Sequence, residues 1–452
     1  MAAAPSSLGY AAALTYREDV GGALGAPETT DPAPELRAKV RHLLALLAAA
    51  KSVVAFTGAG ISTSAGVPDF RGPAGVWTLQ AKGKPLPTLA TPFSLARPTL
   101  THQALLALVR SGLVTRIVSQ NVDGLHRRSG VPRSALSELH GSCFVEACAR
   151  ASCAAETVRD FEVGTVGFRG TGRRCGACGA RTRDWCLDWE NPLPRADLAA
   201  AEAAADGAGV ALCLGTSLQI VPASALPLRT VKAGGALAIV NLQPTPRDGA
   251  ATIVARGRCD DVMAAVVAGL GVTVPVFQRT DALLLRLRVT PGPRKQSMVL
   301  TLRAASTAGD GCPVPMVSGM EVALGAPPGW EGDGGGDASD PDAPDGAATK
   351  FPFVVRLTLA PGAVRASGTV ILRLCDAADP GARRVVRGFD MPATPGAATD
   401  HVVEFVSQIV DHGPAAAEAA ARFWGAEEGG EGEAGAAAGG ASAARRAKRI
   451  KT

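Results

Sequence analysis

Ser52-Val53-Val54-Ala55-Phe56 runs directly into Thr57-Gly58-Ala59-Gly60-Ile61-Ser62-Thr63-Ser64-Ala65-Gly66-Val67-Pro68-Asp69-Phe70-Arg71-Gly72. A short, unbroken apolar run that ends in glycines reads as a buried parallel strand entering a tight turn. Glycines there let the backbone approach a diphosphate, and a following helix N-terminus favours its negative charge. A bare Gly-x-Gly fits a plain turn equally well. The extension through Pro68-Asp69-Phe70-Arg71-Gly72 adds a cation and an aromatic ring, which suit a phosphate or ribose and a nicotinamide.

Outward from this stretch the same grammar repeats. Arg116–Gln120, Val210–Gly215 and Ala236–Asn241 are short apolar runs that end in polar residues or glycine. Helical spacing links them. Leu36, Val40, Leu43, Leu44 and Leu47 recur as one helix face, and Thr101–Val109 and Asp197–Ala205 are helical stretches. Strands alternating with helices predict an α/β fold with a Rossmann-like doubly wound parallel sheet and its ligand at the carboxyl ends of the strands. After about residue 275 the texture changes. Ala282–Thr290, Gln296–Arg303, Phe353–Leu359, Thr369–Leu374 and His401–Val406 read as strands between Gly/Pro turns.

The 452 residues suffice for two or three folded units. Hydrophobic residues are 47% and charged residues 19%, which excludes global disorder. The 53 glycines and 32 prolines, about 19% of the chain, imply low-complexity stretches. These expectations give an N-terminal arm over 1–35, an α/β domain over 36–275 and a β-rich C-terminal module over 276–412. The module is interrupted by a disordered loop at 328–348, which holds six acids and no Lys or Arg. A disordered tail is expected over 413–452. It ends in the basic run Arg445–Lys451, which fits nuclear targeting, a nucleic-acid contact or a solvated tail. No window holds 18 unbroken apolar residues, so no membrane span or membrane partner is expected. Met1–Tyr10 lacks a basic region, so a secretory signal is not expected. A net charge of +5 is too small to imply a nucleic-acid partner by itself.

Three further motifs carry chemistry. Ser119-Gln120-Asn121-Val122-Asp123-Gly124-Leu125-His126 closes the second strand, and its amides and carboxylate can hydrogen-bond ribose hydroxyls and a carboxamide. Glu138-Leu139-His140-Gly141 places a second histidine near the same crevice. His140 and His126 are the two candidates for a general base, because an imidazole titrates near physiological pH. The third motif is a cysteine cluster, Cys148-x4-Cys153 and Cys175-x2-Cys178. Two pairs at this spacing in a chain without secretory features read as a closed, structural zinc site in a small ribbon module over about 141–190. Cys143 and Cys186 are competing ligands, and disulfides are the other alternative.

The order and spacing of these motifs, with Leu214–Ile220 and Ile239–Pro246, resemble the sirtuin family over about residues 5–275. Gly75-Val76-Trp77-Thr78, Leu187-Asp188-Trp189-Glu190 and the start Ser7-Leu8-Gly9-Tyr10-Ala11 resemble most its nuclear class IV branch, in particular the plant-type members. The resemblance implies an NAD-dependent protein-lysine deacylase that releases nicotinamide and O-acyl-ADP-ribose. His140 is then the catalytic base, with Asn121 beside it. Gly58, Ala59, Thr63, Phe70, Arg71 and Trp77 line the NAD site, with Gln120, Asn121 and Asp123 at the ribose and nicotinamide. Gly215, Thr216, Ser217, Asn241, Gln243 and Cys259 hold the adenosine half. Leu187–Glu190 offers an edge to an extended peptide. Zinc is implied at the four cysteines, acyl-lysine proteins such as histones as substrates, chromatin as a setting and the nucleus as location. The branch usually has C-x2-C in its first cysteine pair, and small or β-branched residues where Trp185-Cys186 stand here. Mono-ADP-ribosyl transfer and an NAD-sensing chromatin scaffold are the alternative functions.

Overall fold

The structure is a computed structural model that describes residues 10, 13–15, 17, 19–87, 92–293, 297–308, 312–325, 346–348, 353–359, 363–375 and 384–425. The chain divides into two units. One takes Met1–Val158, Glu162–Phe277 and Val410–Thr452; the other takes Arg159–Phe161 and Gln278–Ile409.

The strands of the first unit are β1 (Val53–Thr57), β2 (Val114–Ser119), β3 (Leu136–Glu138), β4 (Gly141–Cys148), β5 (Glu156–Val158), β6 (Gly170–Arg174), β7 (Arg181–Cys186), β8 (Val210–Leu214), β9 (Ala236–Val240) and β10 (Ile253–Ala255). Six form one parallel sheet in the order β10-β9-β8-β1-β2-β3. The four strands expected from sequence are its centre. The two edge strands, β3 and β10, are three residues each and too short to show a pattern. β1 is buried at every position. Its alternate residues serve opposite layers: Val53 and Ala55 join one core, Val54 and Phe56 the other. This explains the absence of polar alternation. The chain winds outward to β3 on one side of β1 and, from β8, to β10 on the other. The order reverses between β1 and β8, which opens a crevice at their carboxyl ends.

The first helix, Ala33–Ala49, begins three residues before the expected Leu36, with Pro34 in its first turn where no N–H is missed. Val40, Leu43 and Leu47 are fully buried, each worth about 1.5–3 kcal/mol of apolar burial. Helix Leu100–Arg110 is capped by Thr99, whose side chain accepts from the His102 N–H while His102 Nδ1 accepts from the Thr99 N–H. β4 to β7 make a separate sheet in the order β5-β4-β7-β6, the ribbon module.

Two expectations for the first unit are corrected. The described part of the N-terminal stretch is not a free arm. Gly25 N donates to Arg71 O at 2.9 Å, Thr29 N to Leu242 O at 2.9 Å and Asp31 N to Arg256 O at 2.8 Å, so main-chain bonds tie it to the loops after β1, β9 and β10. The tail expected to be disordered from Gly413 begins with a helix, His412–Trp424. Its Ala416 and Ala419 enter the core of the parallel sheet, Phe423 and Trp424 pack on that core, and the Arg41 guanidinium lies 6.0 Å over the Trp424 ring. A run of alanines lowers hydropathy contrast but has the highest helix propensity. The basic run Arg445–Lys451 lies outside the described residues.

Apart from the end residues Phe277 and Val410, the second unit holds β11 (Phe277–Pro291), β12 (Met298–Ser306), β13 (Val317–Leu324), β14 (Gly346–Ala348), β15 (Phe353–Leu359), β16 (Arg365–Leu374), β17 (Arg384–Pro392) and β18 (Ala398–Val410). They form two four-stranded sheets, β15-β12-β11-β18 and β14-β13-β16-β17. The five expected strands are present, mostly longer than expected; β13, β14 and β17 were not foreseen. Of the acidic stretch 328–348, residues 328–345 lie outside the described residues. Gly346–Ala348 pairs with Met320–Val322 and so belongs to a sheet, not to a loop.

Candidate active site

The crevice at the switch point is a cavity of about 860 Å³. Successive strand ends build it. Gly58, Ala59, Gly60 and Thr63 follow β1, Gln120 and Asn121 follow β2, and His140 follows β3. Gly215, Thr216 and Ser217 follow β8, Asn241 and Gln243 follow β9, and Cys259 opens the last helix before the second unit; all line the cavity, together with Phe70, Arg71 and Trp77. Asp123 is the one expected cofactor residue that does not. It is buried beneath, where its Oδ2 accepts from Ser62 Oγ at 2.7 Å and its Oδ1 from Leu125 N at 2.9 Å.

Gly58 and Gly60 answer to contact rather than conformation. A Cβ on Gly58 would stand 2.7 Å from Gly215 O, and one on Gly60 would stand 2.8 Å from Gly215 Cα. Gly60 N donates to Gly215 O at 2.9 Å, so the two turns touch backbone to backbone. Asn121 Nδ2 donates to Gly58 O at 3.0 Å, which ties the neighbouring ends of β2 and β1, and Gln120 Nε2 donates to Thr216 Oγ1 at 3.0 Å, which reaches past β1 to the end of β8. At the far end, Asn241 Nδ2 donates to Gln243 O and Gln243 Nε2 to Ala26 O. Burial pushes the Cys259 thiol up to about 12, so it is a neutral lining group and not a nucleophile.

Arg71 is held by Val20 O at 3.0 Å and Gly21 O at 3.2 Å, both accepting from Nη2, and its guanidinium lies 4.5 Å over the Trp77 ring. Its Nε is buried and has no acceptor among the described residues. Burial lowers its pKa to about 10, with Asp69 opposing, so it stays charged at neutral pH. A buried cation with an idle donor at the rim of a polar cavity fits an anionic or hydroxyl-rich ligand. Phe70 stacks on Trp77 at 4.6 Å and Trp77 on Trp189 at 5.1 Å, so an aromatic wall faces the same space. Trp189, expected only at a peptide edge, is thereby a cavity wall. Tyr10 and Leu14 also line the cavity and were missed, because nothing local to an isolated tyrosine signals a distant partner.

The two histidines separate cleanly. His140 lies in the cavity wall. Its Nδ1 is 3.0 Å from Gln120 O, and since a carbonyl only accepts, Nδ1 carries the proton and Nε2 is left as the base. Burial lowers its pKa below the ordinary 6.5; the Gln120 bond opposes this and Arg71 adds to it. His126 is 3% exposed and does not line the cavity. Its Nε2 is 2.9 Å from Thr57 Oγ1, its ring lies 4.7 Å from that of His102, and burial lowers its pKa to about 3. It is a buried residue behind the site.

The four expected thiols converge. One Sγ from each of Cys148, Cys153, Cys175 and Cys178 lies within 4.8 Å of the others. Tetrahedral zinc with Zn–S near 2.3 Å asks for sulfurs about 3.8 Å apart. Cys148–Cys178 at 3.4 Å and Cys153–Cys175 at 3.9 Å fit this. Arg150 N donates to Cys148 Sγ, and the longer C-x4-C loop closes through Cys153 N to Arg150 O. Cys143 and Cys186 are outside the cluster and face each other at 3.6 Å, which removes them as ligands.

The chain is also similar in sequence to known proteins. A family model described as "Sir2 family" matches residues 89–222. The NAD-dependent protein deacetylase SRT1 of Arabidopsis thaliana is 47% identical over 320 residues, 70% of this chain and 67% of that protein. The rice protein of the same name is 48% identical, and 65% of it is covered. The chain thus spans about two thirds of the length of these relatives. The NAD-dependent protein deacetylase Sirt6 of Drosophila melanogaster is 43% identical over 284 residues, 61% of this chain and 88% of that protein. A solved Sir2–p53 peptide–NAD+ complex aligns at 30% identity with a TM-score of 0.40, over 51% of this chain and 98% of that one. On the strength of the Drosophila match, the motifs and the sheet that presents them, the chain belongs to the Sir2 family.

Proposed function

We propose that this protein is an NAD-dependent protein-lysine deacylase. The observation that carries the reading is His140, whose tautomer is fixed by Gln120 O so that an unprotonated Nε2 is available in a cavity lined by the ends of five successive strand turns. NAD, when bound, supplies an activated ribose carbon and a nicotinamide leaving group. The residues present fit it: the close-packed glycine turns, the idle Arg71 Nε and the amides of Gln120, Asn121, Asn241 and Gln243 offer donors along the cavity. His140 takes a proton from a ribose hydroxyl, Asn121 orders the turn through Gly58 O, and the Phe70–Trp77–Trp189 wall excludes water. Asp123 acts from below, through Ser62.

The acyl-lysine peptide enters along Leu187–Glu190. Leu187 N donates to His140 O at 3.1 Å, which ties that edge to the base. Cys148, Cys153, Cys175 and Cys178 would hold a zinc ion that braces the ribbon module and supplies no chemistry, because four thiolates would close its shell. The reading includes the finer branch: a nuclear, plant-type class IV sirtuin acting on histones and associated with chromatin. The Leu187–Glu190 motif, the basic run Arg445–Lys451 and 47% identity with the Arabidopsis deacetylase support it.

The test is incubation with labelled NAD and an acetyl-lysine peptide. Label recovered in O-acetyl-ADP-ribose, with stoichiometric nicotinamide, is the expected result. Label on protein would replace this reading with mono-ADP-ribosyl transfer. No NAD turnover with unchanged chromatin association would replace it with the scaffold.

A further inference from the structure

A cavity suited to a diphosphate also contains acids. Asp260 and Asp261 stand in the first turn of helix Cys259–Gly269, and both line it. A bare carboxylate there would repel the phosphates of a dinucleotide. Asp260 is not bare. Its Oδ1 accepts from Thr101 N at 2.9 Å and from Thr101 Oγ1 at 2.5 Å, and its Oδ2 accepts from Ser64 Oγ at 2.7 Å. One carboxylate thus joins three elements: its own helix, the start of helix Leu100–Arg110 and the glycine-rich turn.

Ser64 lies two residues beyond Ser62, in the short 3-10 turn Thr63–Ala65. Ser62 Oγ donates to the buried Asp123 at 2.7 Å. Alternate serines of Gly58–Gly66 are therefore bound by different carboxylates, Ser62 by Asp123 and Ser64 by Asp260. Behind them Gly60 is fixed against Gly215. Ser64 itself is solvent-exposed, so this bond is not needed to satisfy a buried hydroxyl. Its effect is on the shape of the turn.

We infer that Asp260 is a positioning residue for the dinucleotide: by joining Ser64 to Thr101 it holds the Gly58–Gly66 turn in its ligand-binding form. The inference rests on the NAD reading above. Three donors on one carboxylate also draw its charge away from the ligand.

The test uses the full chain. NAD binding is measured by calorimetry, and steady-state kinetics are measured with an acetyl-lysine peptide, for the wild type, Asp260→Asn, Ser64→Ala, the double variant and Thr101→Val. Asp260→Asn and Ser64→Ala are expected to raise the NAD KM and Kd about 10- to 100-fold, the scale of one lost charge-assisted bond. kcat should stay within about twofold and peptide KM should not move. The double variant should be no worse than Asp260→Asn, because both remove one interaction. Thr101→Val should lower the melting temperature more than it weakens NAD. A lowered melting temperature with unchanged NAD affinity in Asp260→Asn would overturn the inference and leave a helix clamp. If Asp260→Asn does not fold, Ser64→Ala decides, since its hydroxyl is exposed; unchanged NAD affinity there overturns the inference. A wild type that binds no NAD overturns the functional reading and this inference with it; a wild type that binds NAD alongside unaffected variants overturns this inference alone.

Discussion

The Nδ1 nitrogen of His140 lies 3.0 Å from the main-chain oxygen of Gln120, so the residue after one strand fixes the tautomer of a histidine in the turn after its neighbour. The base nitrogen is then Nε2, and it works only while unprotonated. His140→Ala should lower kcat by about 10²- to 10⁴-fold with the fold intact. Because burial lowers the His140 pKa, its protonated form is lost at a pH below 6.5. kcat/KM for NAD should rise through that lowered pKa and be flat above it. A rise centred above 6.5 in a stopped assay of initial rates would contradict the assignment.

The glycine turns predict a backbone effect that side-chain chemistry does not mimic. Gly60→Ala sets a Cβ 2.8 Å from Gly215 Cα and 2.9 Å from Gly215 O, both main-chain atoms that have nowhere to go. The turns must separate, at about 1–3 kcal/mol. NAD affinity should fall at least tenfold while zinc content stays at one per chain. Gly66→Ala meets no atom within 4 Å, but its φ of +80° strains any side chain. It should cost stability without the same loss of NAD.

The thiol cluster separates two kinds of cysteine. Cys175→Ser should release the metal and lower the melting temperature, because zinc binding to such a site is folding free energy. Cys143→Ser should keep the metal, since Cys143 faces Cys186 instead. Metal analysis of both variants checks the pair. Zinc loss in Cys143→Ser would reverse the ligand assignment.

Much of this site is legible in sequence because it is built where strands end. Apolar runs such as Val210–Leu214 mark the strands, and the residues after them line the cavity almost without exception. Asp123 departs because one residue of a turn can point down while its neighbours point up; spacing does not record which. Asp260 is silent for another reason. An acid in a helix's first turn is ordinary dipole chemistry, and its partners Ser64 and Thr101 are remote in sequence. The helix His412–Trp424 was hidden by composition, since Ala416, Ala419 and Ala420 bury little area each and resemble the low-complexity sequence that follows. Edge strands β3 and β10 have three residues each, fewer than a periodicity needs.

Acid stability offers a prediction that sequence composition alone does not. His102 and His126 are buried with their rings 4.7 Å apart, and burial lowers each pKa to about 3. Neighbouring groups reinforce this, His412 for His102 and His102 for His126, while Asp123 opposes it at His126. An unfolded histidine takes its proton near 6.5, so the unfolded state binds protons first as pH falls. Stability contributed by the neutral pair is therefore complete above about pH 6.5 and is lost progressively as pH falls toward 3. At pH 5 the loss is about 2 kcal/mol per histidine. His102→Asn removes one titrating group and should flatten the fall in unfolding free energy between pH 7 and 5, even if it lowers stability at pH 7. Chemical denaturation at each pH measures the slope. Parallel slopes for wild type and variant would show that His102 takes up its proton equally in the folded and unfolded states, against the structure.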